Sequence, residues 1–226
     1  MDLKDITKLI TNGAESLNIK KWDFGASFSN DFSVQVDKGI AKQLKASQKQ
    51  VLTLRVWNNK NLVGITTTSD LSENGLKKAL YQANLASDYG NKNELTDFSP
   101  LAKDPIEEIK VAKRSPSGIK KLLETLRIAE NKLLNKHSAI KTIPYNGLSE
   151  SFFKRIYANS DGAQRSYEKS QAAIYLYARA EENNRKPRSS GSVKIGYGLE
   201  DIDINSCIDE AAEKTISHLN YSTIET

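Results

Sequence analysis

The sequence has 226 residues, of which 38% are apolar and 27% charged, a balance that excludes an intrinsically disordered chain and favours one large domain or two small ones. No apolar run approaches the roughly 20 residues of a membrane span, and the acidic N-terminus excludes a secretory signal. The single cysteine, Cys207, excludes an internal disulfide, and the net charge of +5 is too mixed with acids to indicate nucleic-acid binding by itself.

The N-terminal segment predicts an amphipathic helix over residues 3–17, because apolar residues recur along it at helical spacing. Asp2 is placed to cap this helix, and Asp5 favours its positive first turn. A second helix is predicted over residues 72–88, with Ser72 as its cap. The apolar face of this second helix is narrow and made of small residues, which would let it lie close to a sheet.

Period-two alternation between these helices predicts antiparallel strands. Residues 22–28 and 32–36 form a hairpin in this interpretation, because Ser29, Asn30 and Asp31 between them are turn residues. Further strands are predicted at residues 40–47, 51–57 and 62–68.

Residues 89–116 show no periodic pattern and hold three of the chain's five prolines, so they are interpreted as a linker or a long crossing loop. Since a loop of this length inside one compact domain is uncommon, it predicts an internal boundary.

The second half repeats the order of the first. Helices are predicted at residues 117–135 and 204–219, and between them strands at residues 139–145, 151–159, 164–180 and 190–197. Asn146-Gly147 and Asp161-Gly162 are turn signals within this region. The order predicts an α+β fold with a mainly antiparallel sheet covered by helices, built from two similar halves, residues 1–90 and 117–226, joined by a linker at 91–116.

Three residues are candidates for a metal site, which for catalytic zinc needs three protein ligands and an open position. His137 and His218 are predicted at helix C-termini, where a cation is stabilised, and they are far apart in sequence. Cys207 is predicted near a helix start as a small packing residue, although such a position can lower a thiol pKa. The sequence therefore predicts no catalytic, cofactor-binding or metal-binding residue in this chain.

Other patterns leave two interpretations open. Tyr167, Tyr175 and Tyr177 share one strand face, where they either pack on the sheet or contact a peptide or nucleic-acid bases. The acidic pairs are interpreted as solvated surface: Glu107-Glu108, Glu181-Glu182 and Glu200-Asp201. No Gly-x-Ser-x-Gly elbow is present, and the glycines at 191–198 lack the strand-to-helix context of a nucleotide loop.

Two stretches carry a family resemblance. Residues 64–72, Gly-Ile-Thr-Thr-Thr-Ser-Asp-Leu-Ser, lead from a strand into a helix of small residues, and residues 157–162, Tyr-Ala-Asn-Ser-Asp-Gly, form a turn after a strand. With the order of helices and strands around them, they resemble the N-terminal domain of the TldD/PmbA family, also described as modulators of DNA gyrase. The likeness covers nearly all 226 residues.

The resemblance implies that residues 1–226 form the N-terminal domain of a two-subunit bacterial metalloprotease, and that a C-terminal β-rich domain is missing from this chain. In that family a His-Glu-x-x-x-His helix and a distant cysteine of the missing domain bind zinc in the TldD-type subunit. The PmbA-type partner, also called TldE, lacks that motif, and residues 138–181 look more similar to this partner. The chain is therefore expected to hold no cofactor and to be inactive alone.

The function that the resemblance implies is a scaffold that helps to form a subunit interface and a peptide channel for proteolysis in the cytoplasm. Its expected partners are a TldD-type subunit or a second copy, and an unfolded peptide, with no membrane and no nucleic acid. The alternative is a binding module acting on DNA gyrase or nucleic acid through basic residues at 110–121 and 185–188. A structural domain that acts only as an oligomer is a third interpretation.

Overall fold

The computed structural model describes residues 2–90, 97–106 and 112–221. Along the chain, the order helix, three strands, helix occurs twice. The elements are α1 (Leu3–Ser16), β1 (Lys21–Asp37), β2 (Ile40–Trp57), β3 (Val63–Thr68), α2 (Glu73–Ser87), α3 (Ile119–Leu134), β4 (Ile140–Asn159), β5 (Gln164–Ala180), β6 (Arg188–Gly196) and α4 (Ile204–Ser217). The predicted α+β class is confirmed, while the division into two halves joined at 91–116 stays a prediction.

The six strands form one antiparallel sheet in the order β3-β2-β1-β4-β5-β6. At one edge, β3 pairs with the last part of β2, from Leu52 opposite Thr68 to Trp57 opposite Val63. At the other edge, β6 pairs with β5, from Ala172 opposite Gly196 to Ala180 opposite Arg188.

Two predicted breaks in the strands are wrong. The turn expected at residues 29–31 lies inside the continuous strand β1, and the two stretches expected at 40–47 and 51–57 form the single strand β2. The alternation of β1 keeps one phase from Trp22 to Val36, both of which are buried. A hairpin turn would have interrupted that phase, so the unbroken alternation was a stronger signal than the turn residues.

The turn expected at Asn146 is also wrong, because β4 runs through it without reversing. Asn146 is buried, its Oδ1 accepts from the Val36 backbone N–H at 3.0 Å, and its Nδ2 donates to the Val36 carbonyl at 2.9 Å. Burial changes phase between Ile143 and Leu148, as in a strand with a bulge. The side chain thus replaces a backbone partner where the ladder is disturbed. The turn predicted at Asp161-Gly162 is confirmed, and Gly162 has a φ of 92°.

The starts of α1 and α2 carry the predicted caps. Asp2 and Asp5 form a reciprocal capping box at the start of α1, and the Ser72 side chain accepts from the Gly75 N–H at the start of α2. Asp203 caps α4 in the same way, by accepting from the Ser206 N–H. None of the helices in the described part of the chain is long and apolar enough to cross a membrane.

Contacts divide the chain into two units. Unit 1 holds Met1–Ser29, Gln48–Val111 and Phe153–Glu168, and unit 2 holds Asn30–Ser47, Ala112–Phe152 and Lys169–Thr226. In unit 1, α1 and α2 pack together over a core that includes Ile6, Ile10, Trp22, Phe24, Leu52, Leu54, Val56, Leu76, Leu80, Ala83 and Ile156. In unit 2, α3 and α4 pack together over a core that includes Val34, Val36, Leu122, Leu126, Leu133, Leu148, Ile174, Leu176, Ile208 and Ala211.

In unit 2, a buried carboxylate on α3 fixes the turn between β1 and β2. Glu130 is 3% exposed and accepts from the backbone N–H groups of Lys38 at 3.1 Å and Gly39 at 2.7 Å. Both turn residues have positive φ, 51° and 75°, so their N–H groups find no ladder partner. The carboxylate satisfies these N–H groups and sets where β2 begins.

Candidate functional site

The candidate metal ligands lie in unit 2, and the structure gives each of them another role. His137 follows α3, and its Nδ1 accepts from the Ala139 N–H at 3.0 Å. His218 is the exposed C-cap residue of α4. Cys207 is fully buried in the first turn of α4, where its thiol donates to the Ser192 carbonyl at 3.7 Å. Burial raises the pKa of this thiol, whereas a reactive cysteine at a helix start would have a lowered pKa.

A catalytic metal needs several donors around one point. Within residues 2–90, 97–106 and 112–221, no three side chains of His, Cys, Asp or Glu come close enough to hold an ion. The acidic pair at 107–108 lies outside the described residues. Glu181 and Glu182 pair with Arg179 and Arg185.

Beside Cys207, Glu210 on α4 joins three donors from two elements. Its carboxylate accepts from Ser192 Oγ at 2.8 Å, from Lys194 Nζ at 2.7 Å and from Lys214 Nζ. These hydrogen bonds, led by that from Lys194, lower the pKa of Glu210 from 4.5 to about 2. The group therefore ties α4 to the edge strand β6 and does not act as a proton donor near neutral pH.

Replacing Glu210 with glutamine is expected to lower the urea midpoint of unfolding at pH 7, because Lys194 and Lys214 lose their charged acceptor. A carboxyl with a depressed pKa in the folded state stabilises the fold above its unfolded pKa, near 4.5, and loses that effect as the pH falls towards about 2. The difference between wild type and variant should therefore shrink steadily below pH 4.5. Urea titrations at pH 7, 5, 4 and 3 measure it, and a difference that stays constant over this range contradicts the assignment.

The first family stretch, residues 64–72, makes a strand-to-helix junction. A Cβ on Gly64 would lie 1.9 Å from the Ala83 carbonyl oxygen, so β3 and α2 touch through backbone there. Asp70 Oδ1 accepts from the Ser72 N–H at 3.0 Å. Hydrogen bonding by the Ser72 side chain, and then by its backbone N–H, lowers the pKa of Asp70. Thr68 Oγ1 accepts from the Asp70 N–H at 3.0 Å. The motif residues thus bind backbone groups of their own junction.

The second family stretch, residues 157–162, makes the turn between β4 and β5. Asn159 Oδ1 accepts from the N–H groups of Asp161 at 3.1 Å and Ala163 at 2.9 Å. Ser160 makes two hydrogen bonds with Trp22 of β1. The Ser160 N–H donates to the Trp22 carbonyl at 2.9 Å, and the Ser160 Oγ accepts from the Trp22 N–H at 3.2 Å. Asn159 and Ser160 of this motif therefore stabilise the turn and its contact with β1.

A buried ion pair lies beside this turn on one sheet face of unit 1, the face opposite the core of α1 and α2. Asp23 is 2% exposed and lies between the core residues Trp22 and Phe24, so its side chain points to that opposite face. Arg55 Nε donates to Asp23 Oδ1 at 2.8 Å, and Arg55 Nη2 donates to Oδ2. Hydrogen bonding by Asp23 raises the pKa of Arg55. Sequence reasoning did not find this pair, although a carboxylate between two buried aromatics on a strand was a visible signal.

Tyr157 joins the pair to the turn. Its hydroxyl donates to Asp23 Oδ2 at 3.3 Å and accepts from Asn159 Nδ2 at 3.4 Å. Burial, and then the charge of Asp23, raise the pKa of Tyr157. The hydroxyl is therefore a fixed donor, and the group Asp23, Arg55, Tyr157 and Asn159 forms a connected network of polar side chains.

The three tyrosines of β5 differ in their surroundings. Tyr175 is half-buried, its ring lies against Gly147, and its hydroxyl accepts from Gln35 Nε2 at 2.8 Å. Tyr177 is 41% exposed and lies against Gly191 of β6. Tyr167 is exposed in unit 1. Tyr175 is thus a packing residue, and Tyr177 with exposed Val193 and Ile195 forms an apolar surface on unit 2.

Several of the basic residues predicted to contact nucleic acid are used within unit 2. Arg114 Nε and Nη2 donate to Asp201 at 3.0 Å and 2.9 Å, and Glu200 lies 3.1 Å from the same guanidinium. Arg185 donates to the Leu219 carbonyl at 2.8 Å, and Arg188 stacks on Tyr221, 3.9 Å from the ring centre. Lys110 lies outside the described residues, while Lys120 and Lys121 are exposed on α3.

Comparison with known families decides the affiliation. Residues 105–219, about half of the chain, match the family described as the PmbA/TldA metallopeptidase central domain. The chain belongs to the PmbA/TldD family. The turn at residues 157–162 lies within the matched range, and the junction at residues 64–72 lies outside it. No curated protein matches the chain.

Three solved structures are similar in fold. A protein named as a proposed modulator of a DNA gyrase from Thermotoga maritima has a TM-score of 0.80 at 16% identity, over 99% of this chain and 50% of that one. TldE from Thermococcus kodakarensis has a TM-score of 0.77 at 15% sequence identity, over 93% of this chain and 47% of that one. A protein named as a proposed modulator of DNA gyrase from Bacteroides thetaiotaomicron has a TM-score of 0.78 at 11% sequence identity, over 98% of this chain and 51% of that one. The chain spans about half the length of each.

Proposed function

We propose that this chain is a non-catalytic scaffold domain of a PmbA/TldD-type metallopeptidase, and that it belongs to the PmbA-type (TldE) partner subunit. The observation that carries the proposal is the family match over residues 105–219, taken with the use of both family motifs for backbone contacts. The likeness to TldE supports the fold of such a subunit. In this role the domain shapes the assembly, and the chemistry takes place elsewhere.

The zinc expected in a metallopeptidase does not fit the side chains described here. Cys207 is buried with its thiol bound to a carbonyl, the two histidines lie at separate helix ends, and no third donor joins any of them. We therefore assign zinc to a TldD-type catalytic subunit. The partner of that subunit in the cytoplasm would be the present protein, and an unfolded peptide would be the substrate.

The exposed apolar surface of β5 and β6 supports a contact role within that assembly. Tyr177, Val193 and Ile195 are each more than two-fifths exposed and lie on adjacent strands. Such a surface is typical of a place that another chain covers. In the proposed assembly, it would face the peptide channel or the neighbouring subunit.

The test is reconstitution. The purified 226-residue chain is expected to bind no stoichiometric zinc and to hydrolyse no peptide, because its described residues contain no converging donor set. The full-length protein, mixed with a TldD-type subunit from the same organism, is expected to form a stable complex and to give peptide hydrolysis above that of the TldD-type subunit alone. Metal analysis by mass spectrometry, size-exclusion chromatography and a fluorogenic peptide assay measure these results. Zinc at one ion per chain, or hydrolysis by the chain alone, overturns the proposal.

A second candidate function, binding to DNA gyrase or nucleic acid, draws support from the names of two structural relatives. The contacts of Arg114, Arg185 and Arg188 weigh against it, since these side chains are held by Asp201, by Leu219 and by Tyr221. A basic face free for phosphate contacts is therefore smaller than the sequence indicates.

A further inference from the structure

The first part of β2 has an unpaired edge in unit 2. Strand β3 pairs only with Leu52 to Trp57 of β2, so residues 40–47 have no described strand on that side. Eight residues in a strand extend roughly 26 Å, at about 3.3 Å per residue. Apart from Ala41, all of them are exposed. We call residues 40–47 the β2 edge segment.

An unpaired strand edge presents backbone N–H and C=O groups that can pair with another extended chain. The side chains of the β2 edge segment alternate between its two faces. Ile40 and Leu44, 70% and 49% exposed, share one face with Lys42, and Lys45 lies on the other. The edge therefore offers hydrogen bonds, apolar contacts and positive charge together.

The positive charge of the β2 edge segment favours an acidic partner strand. From residue 38 to residue 69 the sequence contains no Asp or Glu, and Lys38, Lys42 and Lys45 are exposed with no ion pair among the described residues. A second copy paired at the same edge would bring more lysines and no carboxylate to the β2 edge segment, so its charge would repel. An acidic strand would place carboxylates there instead.

A nucleic acid fits this edge less well than a peptide. Phosphates could accept from the lysines and from the backbone N–H groups, but they would leave the edge C=O groups without donors. They would also leave Ile40 and Leu44 without apolar partners. A peptide strand satisfies both kinds of backbone group and offers side chains to each face.

We propose that the β2 edge segment is a docking site for an extended acidic segment of a partner protein, which adds a strand beside β2. The partner segment carries acidic residues on both of its faces, so that one carboxylate meets Lys42 and another, three residues away, meets Lys45 on the opposite face. This docking site lies on a different strand from the surface of Tyr177, Val193 and Ile195, and it holds whether or not the scaffold function is right.

The experiment uses a labelled ten-residue peptide of Val and Glu in alternating pairs, Val-Val-Glu-Glu-Val-Val-Glu-Glu-Val-Val, with both ends blocked, and the 226-residue chain. The pairs place carboxylates on both faces of the added strand. Fluorescence anisotropy measures its binding, and amide hydrogen exchange locates it. The expected results are saturable binding that weakens as salt is raised, and slower exchange within residues 40–47. Absence of binding, or slower exchange elsewhere but not in this segment, overturns the proposal.

Three matched probes separate strand addition from simple attraction between charges. A peptide with Pro in place of each Val keeps the charge but lacks the N–H groups of those residues, so it is expected to bind at least about tenfold more weakly. A peptide with Lys in place of Glu and an oligonucleotide of the same charge as the Glu peptide are also expected to bind more weakly. Equal affinity for the Pro peptide or for the oligonucleotide overturns the proposal in favour of nonspecific charge binding.

Variants test the residues. The pair Lys42→Glu and Lys45→Glu is expected to weaken binding about tenfold, since two favourable contacts between exposed charges become unfavourable. The control pair Lys4→Glu and Lys8→Glu changes the net charge equally on the exposed face of α1, and should stay within about twofold of wild type. Equal weakening by both pairs overturns the assignment to β2. Circular dichroism and urea midpoints confirm that each variant is folded.

Discussion

Replacing Gly64 with alanine is expected to lower the free energy of unfolding by about 3 kcal/mol, because the new methyl group has no space. Its carbon would lie 1.9 Å from the Ala83 carbonyl oxygen and 2.5 Å from the Ser87 nitrogen. Both of these are backbone atoms of α2, so no side chain can rotate to relieve the overlap. The helix must shift off β3, and this shift pulls its own buried residues Leu76 and Leu80 out of the core. Urea unfolding followed by circular dichroism measures the loss.

The matched control is Gly25→Ala. Gly25 lies in β1, is exposed, and has nothing within 4 Å of an added Cβ. Alanine there is expected to change stability by less than about 1 kcal/mol, because it removes glycine's extra freedom in the unfolded chain without an overlap. If both variants lose the same amount, the close approach of β3 and α2 is not what Gly64 provides.

The helices could be predicted from sequence because their signals are local. Asp2 and Ser72 lie where the caps were expected, and the predicted boundaries differ from the observed ones by at most two residues. A cap bonds to a backbone group three residues away, so sequence spacing contains the needed information. The sequence shows Gly64 as part of a motif. It does not show why glycine is required there, because the close contact with the Ala83 carbonyl depends on how α2 packs on β3.

The strands were divided wrongly because turn residues also occur inside long strands. Asn146 resembles a turn residue, yet its side chain binds the Val36 backbone, 110 residues away in sequence. Asn30 and Asp31 likewise lie within β1. Whether such residues reverse the chain is decided by the neighbouring strand, and a single sequence does not contain that information.

The function could be approached from sequence only through the family. The motif at 64–72 and the turn at 157–162 resemble family passages, and the match over 105–219 establishes the affiliation. In both passages, polar side chains bind backbone groups of junctions and turns, as Thr68 and Asn159 do. These bonds belong to the fold, whereas the proposed contact surfaces emerge only when exposure and strand pairing are known.

Replacing Arg55 with methionine is expected to lower the free energy of unfolding by about 3 kcal/mol at pH 7. The change leaves Asp23, which is 2% exposed, without its bidentate partner, and the hydroxyl of Tyr157 at 3.3 Å is then its one remaining side-chain donor among the described residues. The value is at the lower end of the range for a broken buried pair, because the Arg55 side chain is itself 45% exposed and water can partly replace it. Urea unfolding measures the loss.

The same ion pair predicts that the two single variants lose unequal stability and that their losses do not add in the double variant. Asp23→Val alone is expected to cost about 1 kcal/mol, less than Arg55→Met, because the guanidinium left behind reaches water while the carboxylate does not. Combining Asp23→Val with Arg55→Met removes both charges, and is expected to recover most of the loss of Arg55→Met, to within about 1 kcal/mol of wild type. The Tyr157 hydroxyl keeps the Asn159 amide as a partner in that double variant. Two single losses that add in the double variant would show instead that the pair is not coupled, and that each side chain stabilises the sheet separately.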